Sequence, residues 1–249
     1  DLARWKGFIS RLHTQGKLFF AEMRPLTHLG KMFEYVMDDP GLQEAVCVDF
    51  NLNPIKIGWM ANRTYKQRPV HFYCSNHPRY RAFLRHQIFM FAEAGVDGIM
   101  VDDGGGTPFV SGSGGCCCQY CMAGFREYLR EKYTVDQLQA RGVVDLDKFD
   151  YRQVLLKHAD DRESFRMAQR LREIPLAADF SQFLNRSDAD LFQSLQAMAS
   201  KLSGKHLPMA WDNVNINGRY HLYYRFLDLF LPETDYHRFA VDGRGDDTT

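Results

Sequence analysis

The clearest fold signal in this chain is Val96-Asp97-Gly98-Ile99-Met100-Val101-Asp102-Asp103-Gly104. Its apolar centre has the length of one buried strand, and two carboxylates followed by glycines end it abruptly. A helix-like segment that begins at Pro78 and ends near Gly95 precedes it. A helix that leads into a short buried strand is the repeating unit of parallel α/β folds.

The same alternation continues on both sides of this stretch. Strand-like segments lie at 18–23, 45–50, 207–213 and 227–233, and helix-like segments lie at 4–15, 32–37 and around 125–129. The charged, mostly helical residues 147–204 exceed what one barrel helix requires. We therefore expect one domain over residues 1–249: a (β/α)₈ barrel with a helical insertion around 147–204. About five strands are visible where a barrel has eight, so either the other strands lie outside this chain, which is then part of a longer one, or the barrel is incomplete.

The charge balance bears on the partners that we expect. The chain has 31 Lys and Arg residues against 31 Asp and Glu residues. A phosphate backbone requires a basic surface, so nucleic acid is not an expected partner. No apolar run reaches the length of about 18 residues that a membrane helix needs, so no membrane association is expected either. Homo-oligomer formation is left open by the sequence.

Four of the six cysteines crowd into Cys116-Cys117-Cys118-Gln119-Tyr120-Cys121. Alternate side chains of an extended segment share a face, so Cys116 and Cys118 can approach one ion while Cys117 points away. Cys118 and Cys121 have the two-residue gap of zinc-binding turns. For the fourth ligand, Cys47 lies within an apolar strand-like segment and Cys74 lies in a loop. We therefore expect Cys74, Cys116, Cys118 and Cys121 to bind zinc.

Four thiolates close the coordination shell of zinc, so we expect this zinc to have a structural role. The alternative interpretations are a disulfide cluster and free thiols, and disulfides are geometrically awkward between residues so close in sequence. Cysteine-bound zinc favours a reducing compartment, and hence the cytoplasm, although a zinc site also survives export.

Polar residues end several of the strand-like segments. In a barrel, residues at the carboxyl ends of the strands face the active site. That rule selects Glu22, Arg24, Asp49, Asp102, Asp103, Asp212, Asn213, Glu233 and Asp235, with His237 close behind. Asp102 and Asp103 alternate in direction, so only one of them faces the barrel mouth unless the strand bulges. The alternative is that such carboxylates cap neighbouring backbone, and that His237 has no functional role.

The order of these segments resembles that of the family 42 glycoside hydrolases and of hypothetical barrel glycosidases related to them. The resembling segments are 71–81 with Cys74, the strand that ends at Asp102-Asp103, Cys116-x-Cys118-x-x-Cys121 with the following 125–133, and the strands at 210–213 and 228–236. Together they span residues 72–237. The cysteine pattern is the most specific part of the resemblance.

The resemblance implies a glycosidase with a structural zinc and a carbohydrate substrate. The family has Asn-Glu where this chain has Asp102-Asp103, so the acid/base role falls to Asp103, with its shorter side chain. Asp102 and Glu233 are the other catalytic candidates, because the family's nucleophile lies on a seventh strand that we do not find before Thr249. From their positions at the strand ends, we expect the sugar to be bound by Glu22, Arg24, Asp212, Asn213, Asp235 and His237. These departures favour the broader set of barrel glycosidases over true β-galactosidases.

Two other functions stay open at this point. One is a barrel that binds carbohydrate through a catalytically degraded site. The other is a different barrel enzyme, such as a metal-dependent hydrolase or a lyase. That enzyme would need histidine ligands at strand ends, and the sequence has no His-x-His motif.

Overall fold

A parallel sheet organises the chain in the computed structural model, which describes residues 2–24, 30–60, 62–102, 104–212 and 220–231. The strands in these ranges are β1 (Phe20–Met23), β2 (Thr64–Tyr65), β3 (Arg68–Pro69), β4 (Gly98–Val101), β5 (Met209–Asp212) and β6 (Leu229–Leu231). β2 and β3 form a short antiparallel hairpin. The other four form one parallel sheet in the order β1-β4-β5-β6, which is also their order along the chain.

Helices fill most of the connections between these strands. They are α1 (Leu2–His13), α2 (Gly30–Asp38), α3 (Pro40–Gln43), α4 (Pro78–Ala94), α5 (Gly106–Val110), α6 (Gln119–Lys132), α7 (Val135–Gln139), α8 (Tyr151–His158), α9 (Arg162–Arg170) and α10 (Ala177–Ser203). Single 3₁₀ turns occur at Gly58–Met60, Ser111–Ser113 and Tyr220–Leu222. As the sequence predicts, Pro78 begins α4, and Gly95 ends it in the left-handed conformation, with φ of 80°.

The two faces of the parallel sheet differ in burial. Ala21, Ile99 and Met209 share one register row, and Met23, Val101 and Trp211 share the next. All six are buried, and they pack against α4 and α10. The opposite face, here called the open face, is formed by Phe20, Glu22, Met100, Ala210 and Leu229. None of these five side chains belongs to a hydrophobic core of the described residues, and Phe20 and Leu229 are 36% and 46% exposed.

The strand predicted at 45–50 is wrong. β1 pairs directly with β4, so the sheet has no position between them for another strand. Residues 45–50 instead make isolated antiparallel bridges, Val46 with Tyr73 and Val48 with Pro54. The backbone N–H of Cys47 donates to the carbonyl of Phe72 at 2.7 Å, so this segment uses its hydrogen bonds within the connection from β1 to β4.

The described residues contain two hydrophobic cores. The sheet core consists of the buried face of the sheet with side chains of α1, α4 and α10. The cysteine core consists of all six cysteines with aromatic and aliphatic side chains from 33–72 and 109–184. At its centre the Phe125 ring lies 5.0 Å from the rings of both Tyr151 and Phe180.

Helices α8, α9 and α10 lie in the range 147–204 that the sequence marks as mostly helical. The 27-residue α10 joins the two cores. Its Phe180 and Phe183 lie in the cysteine core, whereas Phe192 and Leu195 lie in the sheet core. A single rigid helix therefore fixes one core relative to the other. Among the described residues, no helix combines the length and the apolar character that crossing a membrane requires.

Candidate metal centre and strand-end carboxylates

Four cysteine sulfurs form a cluster inside the cysteine core. The Sγ atoms of Cys74, Cys116, Cys118 and Cys121 all lie within 4.8 Å of one another. Cys74 Sγ lies 3.6 Å from Cys118 Sγ and 3.4 Å from Cys121 Sγ. A disulfide bond is about 2.05 Å long, and all six cysteines are free thiols. These are the four residues that the sequence predicts, so the cluster is able to hold a metal ion.

Backbone hydrogen bonds bring the four cysteines together from two segments. The N–H of Cys74 donates to the carbonyl of Ala45, and that of Cys117 donates to the carbonyl of Val48, at 2.7 and 2.8 Å. Both loops are thereby attached to the same short segment of chain. Cys118 occupies the N-cap position of α6, and Cys121 lies in the first turn of that helix. The two-residue gap therefore places both sulfurs on one side of the helix start.

The other two cysteines have separate surroundings. Cys117 Sγ donates to the carbonyl of Gly114 at 3.3 Å, so its side chain points away from the cluster, as the alternation predicts. Cys47 is fully buried beside Cys74 and Cys116 and lies outside the group of four. Burial, followed by contacts with those two neighbours, raises the pKa of the Cys47 thiol well above its ordinary value. Cys47 therefore acts as a small buried hydrophobic residue.

The pKa values of the four thiols diverge. Burial alone would raise the pKa of Cys74, but hydrogen bonds from Cys118 and Cys121 outweigh it and lower the value to about 6. Hydrogen bonds from Cys118 and Cys121 also hold the pKa of Cys116 well below its ordinary value. The pKa of Cys118 is raised by its hydrogen bond to Cys116, and that of Cys121 is raised by burial. A bound cation would stabilise the thiolate form of all four.

Polar side chains surround the cluster and orient it. Asn76 Nδ2 donates to Cys121 Sγ at 3.4 Å and to Ser187 Oγ on α10 at 3.1 Å. Arg81 Nη2 donates to Asn76 Oδ1 at 3.1 Å. Donors of this kind stabilise the negative charge of metal-bound thiolates and hold the ligands in place.

A second group of polar residues lies at the carboxyl ends of the strands. Arg24 forms ion pairs with Glu22 and, at 3.0 Å, with Asp102. The N–H of Asp102 donates to the carbonyl of Met23 at 2.9 Å and so extends the β1–β4 ladder by one residue. Arg24 follows Glu22 by two residues and Asp102 follows Met100 by two, so all of them point to the side of the open face.

Asp212 ends the next strand on the same side. It follows Ala210, an open-face residue, by two positions, and it is paired in register with Leu231. The structure thus brings together Glu22, Arg24 and Asp102 and places Asp212 on the same side of the neighbouring strand. Asp103, Asn213, Glu233, Asp235 and His237 lie outside the described residues.

Asp49 does not belong with these strand ends, although the sequence placed it there. It follows the segment that does not join the sheet, and it is buried. Its carboxylate accepts hydrogen bonds from the N–H groups of Asn51 and Asn53 and pairs with Arg162 at 2.9 Å. Asp49 therefore stabilises a turn and joins it to α9.

Sequence reasoning missed Asp188, a completely buried carboxyl group on α10. The sequence does contain a signal for the burial of Asp188, because Leu184, Asp188 and Phe192 recur at the spacing of one buried helix face. A carboxylate in the middle of such an apolar row requires buried hydrogen-bond partners.

Comparison with known proteins gives one partial similarity. Part of the chain is 28% identical over 107 residues to a protein named Alpha-agarase from Thalassotalea agarivorans. The match covers 41% of this chain and 7% of that protein, so the chain corresponds to a small part of its relative. No protein-family model matches the chain, and no solved structure matches it. The specific resemblance to family 42 stays a prediction.

Proposed function

We propose that this chain is part of a barrel glycoside hydrolase with a structural zinc site. An agarase is a glycoside hydrolase, so the partial similarity supports this class of enzyme and a carbohydrate substrate. The observation that carries the proposal is the group of Glu22, Arg24 and Asp102 at the carboxyl end of a parallel sheet. Enzymes with parallel α/β folds place their active sites at this end.

The winding of the sheet supports the barrel. Its strands are neighbours in the same order as they occur along the chain. Crossovers between parallel strands are right-handed, so such an order puts all the connecting helices on one face. Parallel sheets are nevertheless covered on both faces. A sheet of this kind satisfies both conditions when it curls and closes on itself, and the open face then becomes the interior of the barrel.

Glycosidic cleavage needs two carboxyl groups on opposite sides of the scissile bond. One protonates the leaving oxygen, and the other attacks the anomeric carbon or activates water. We assign the acid/base role to Asp103, with Asp102 and Glu233 as the other catalytic candidates. Arg24 holds Glu22 and Asp102 in fixed positions, and both can bind sugar hydroxyls, as can Asp212. Asn213, Asp235 and His237 complete the proposed sugar site.

The spacing of the four sulfurs fits a tetrahedral zinc ion. Zn–S bonds of about 2.3 Å place tetrahedral ligands about 3.8 Å apart; the separations from Cys74 are 3.4 and 3.6 Å, and all four sulfurs lie within 4.8 Å of one another. Cys74, Cys116, Cys118 and Cys121 would hold the ion. A closed shell of four thiolates leaves no position for substrate or water, so the metal would supply loop cross-linking and no catalysis.

The test compares hydrolysis of agar-derived oligosaccharides and simple glycosides by the wild type, Asp102→Asn and Asp103→Asn. Removing a catalytic carboxyl group is expected to lower kcat by about 10²-fold or more. Asp145→Asn is the matched control, because the contacts of that carboxylate are an ion pair with Lys148 and hydrogen bonds from the backbone N–H groups of Asp147 and Lys148, none of which is a proposed site residue. Turnover that survives both substitutions would contradict the assignment. Saturable oligosaccharide binding by the wild type without any product would favour the non-catalytic carbohydrate-binding barrel instead.

A further inference from the structure

Asp188 connects three separate parts of the chain through one buried carboxylate. Its Oδ1 accepts a hydrogen bond from Ser75 Oγ, and its Oδ2 accepts one from Tyr223 OH at 2.6 Å. The backbone N–H of Gly105 also donates to it. Ser75 follows a metal-site cysteine, Gly105 lies in the loop after β4, and Tyr223 precedes β6.

Ser75 is held to the cysteine cluster from two sides. It is the neighbour of Cys74 in the chain, and its carbonyl accepts a hydrogen bond from Arg81 Nε at 2.7 Å. The same guanidinium donates to Asn76, which in turn donates to Cys121 Sγ. A displacement of the sulfurs therefore displaces the Ser75 hydroxyl.

Gly105 is held equally closely on the other side of the carboxylate. A Cβ atom added to Gly105 would lie 1.9 Å from Asp188 Oδ1 and 2.2 Å from Ser75 Oγ. The loop backbone, the carboxylate and the hydroxyl are therefore in direct contact, without space for rearrangement. Gly105 follows Asp102 by three residues, and the N–H of the next residue, Gly106, donates to the carbonyl of Tyr73 at 3.1 Å. The loop that carries the strand-end carboxylates thus rests on the loop that carries Cys74.

All three partners of Asp188 are hydrogen-bond donors. An ionised carboxylate accepts all three bonds, whereas a protonated carboxyl group would reverse one of them by donating to a hydroxyl oxygen. Burial raises the pKa of Asp188, and the hydrogen bonds from Ser75, Tyr223 and Gly105 oppose that rise. Hydrogen bonds to a charged acceptor in a dry interior are strong and directional, so this junction has one preferred geometry.

We propose that Asp188 is a positioning residue that makes the loop after β4, taken here as residues 104–110 with the short helix α5 included, depend on the metal bound by the four cysteines. The proposal rests on the metal-binding part of the proposed function and is independent of the reaction catalysed. A bound ion would fix Cys74 and with it Ser75. Through its hydrogen bonds the carboxylate would then fix the Gly105 N–H, and with it the chain at the end of β4.

Hydrogen exchange followed by mass spectrometry tests this coupling without any substrate. The wild type, Asp188→Asn and the control Asp190→Asn are compared, each loaded with Zn²⁺ and each treated with a chelator. Asp190 lies on the same helix in exposed pairs with Arg186 and Arg225. In the wild type and the control, zinc should slow exchange both in peptides covering 114–122 and in peptides covering 104–110.

In Asp188→Asn the protection by zinc should remain at 114–122 and disappear at 104–110. The loop should then exchange about tenfold faster than in the zinc-loaded wild type, because hydrogen bonds to a charged group are worth at least that factor. A general loss of stability would instead speed exchange in both regions and leave the loop sensitive to zinc. A loop that still responds to zinc in the variant overturns the proposal, as does a wild-type loop that never responds.

Ser75→Ala provides a second route if Asp188→Asn does not fold. It removes one hydroxyl from the junction and leaves the carboxylate with Gly105 and Tyr223. The same loss of zinc sensitivity at 104–110 is expected, and its persistence would contradict the coupling. Metal analysis separates the two failures. A wild type that binds no zinc overturns both this proposal and the zinc site, whereas bound zinc without a loop response overturns only the coupling.

Discussion

The sheet core and the cysteine core are built in different ways. In the sheet core, strands in continuous register present rows of apolar side chains to two long helices. In the cysteine core, the segments 45–57 and 70–75 make isolated bridges and single hydrogen bonds rather than a continuous sheet. The first core has repetitive backbone pairing to hold it together, and the second has four sulfurs. A cluster of four sulfurs that is able to hold a metal ion therefore lies where loops pack without a continuous sheet.

The largest effect is expected from removing the metal ligands. Cys118→Ser should abolish stoichiometric zinc and expose the cysteine core, because structural zinc contributes on the order of 10 kcal/mol in small domains. The sheet core should keep its protection, since none of its strands supplies a ligand. Elemental analysis and hydrogen exchange would measure both effects. Cys117→Ala is the matched control, and loss of zinc in that variant would contradict the observed orientation of Cys117.

Truncating one large buried side chain in each core should distinguish the two cores further. Phe125→Ala removes the central ring of the cysteine core and should cost about 3–5 kcal/mol. It should also speed zinc release to a chelator. Leu84→Ala in the sheet core should cost about 2–5 kcal/mol and leave zinc release unchanged. Denaturant unfolding and a colorimetric chelator assay check both. Equal zinc release from the two variants would show that the cores are not separate.

A smaller effect is expected where one core touches the other. A Cβ atom at Gly106 would lie 2.3 Å from the carbonyl oxygen of Tyr73, which is backbone and cannot turn aside. Gly106→Ala should therefore destabilise the protein by about 1–3 kcal/mol. Gly112→Ala is the control, since nothing lies within 4 Å of its added methyl group. Thermal unfolding measures both, and equal stability of the two variants would mean that the contact is looser than described.

The smallest effect is expected at Asp97, whose contribution to stability should depend on pH. Asp97, ahead of β4, accepts hydrogen bonds from the Phe19 N–H at 2.9 Å and pairs with His13 at 2.7 Å. Burial opposes ionisation there, but these contacts prevail and lower the pKa of Asp97. A lowered folded-state pKa gives stability that is present above the unfolded value of about 3.9 and is lost as pH falls through the folded value.

Asp97→Asn should therefore lose about 1–2 kcal/mol at neutral pH, and the difference from the wild type should shrink below pH 4. Urea unfolding between pH 3 and pH 7 would measure it. The substitution should destabilise the sheet core and should leave zinc binding at neutral pH unchanged. A difference that stays constant across this pH range would contradict the role given to the carboxylate.

The sequence predicted the parts of this molecule that depend on local pattern. The start of α4 at Pro78 and its end at Gly95 follow from backbone preferences, and the choice of Cys74 over Cys47 follows from the contrast between a loop and an apolar segment. The strand at 45–50 failed, because alternation shows that a segment is extended and does not show which neighbour it pairs with. Asp188 was missed because its partners are distant in the chain, and only the fold brings Ser75 and Tyr223 to it.

The strand β6 has a practical consequence for anyone who purifies this chain. Leu229, Phe230 and Leu231 are each between 39% and 46% exposed, and among the described strands β6 has a neighbour on one side only. An apolar strand at the edge of a sheet is a template for other strands wherever that edge stays open. Light scattering over a dilution series should therefore accompany every stability measurement, because concentration and added salt or detergent will decide how much of the sample remains dispersed.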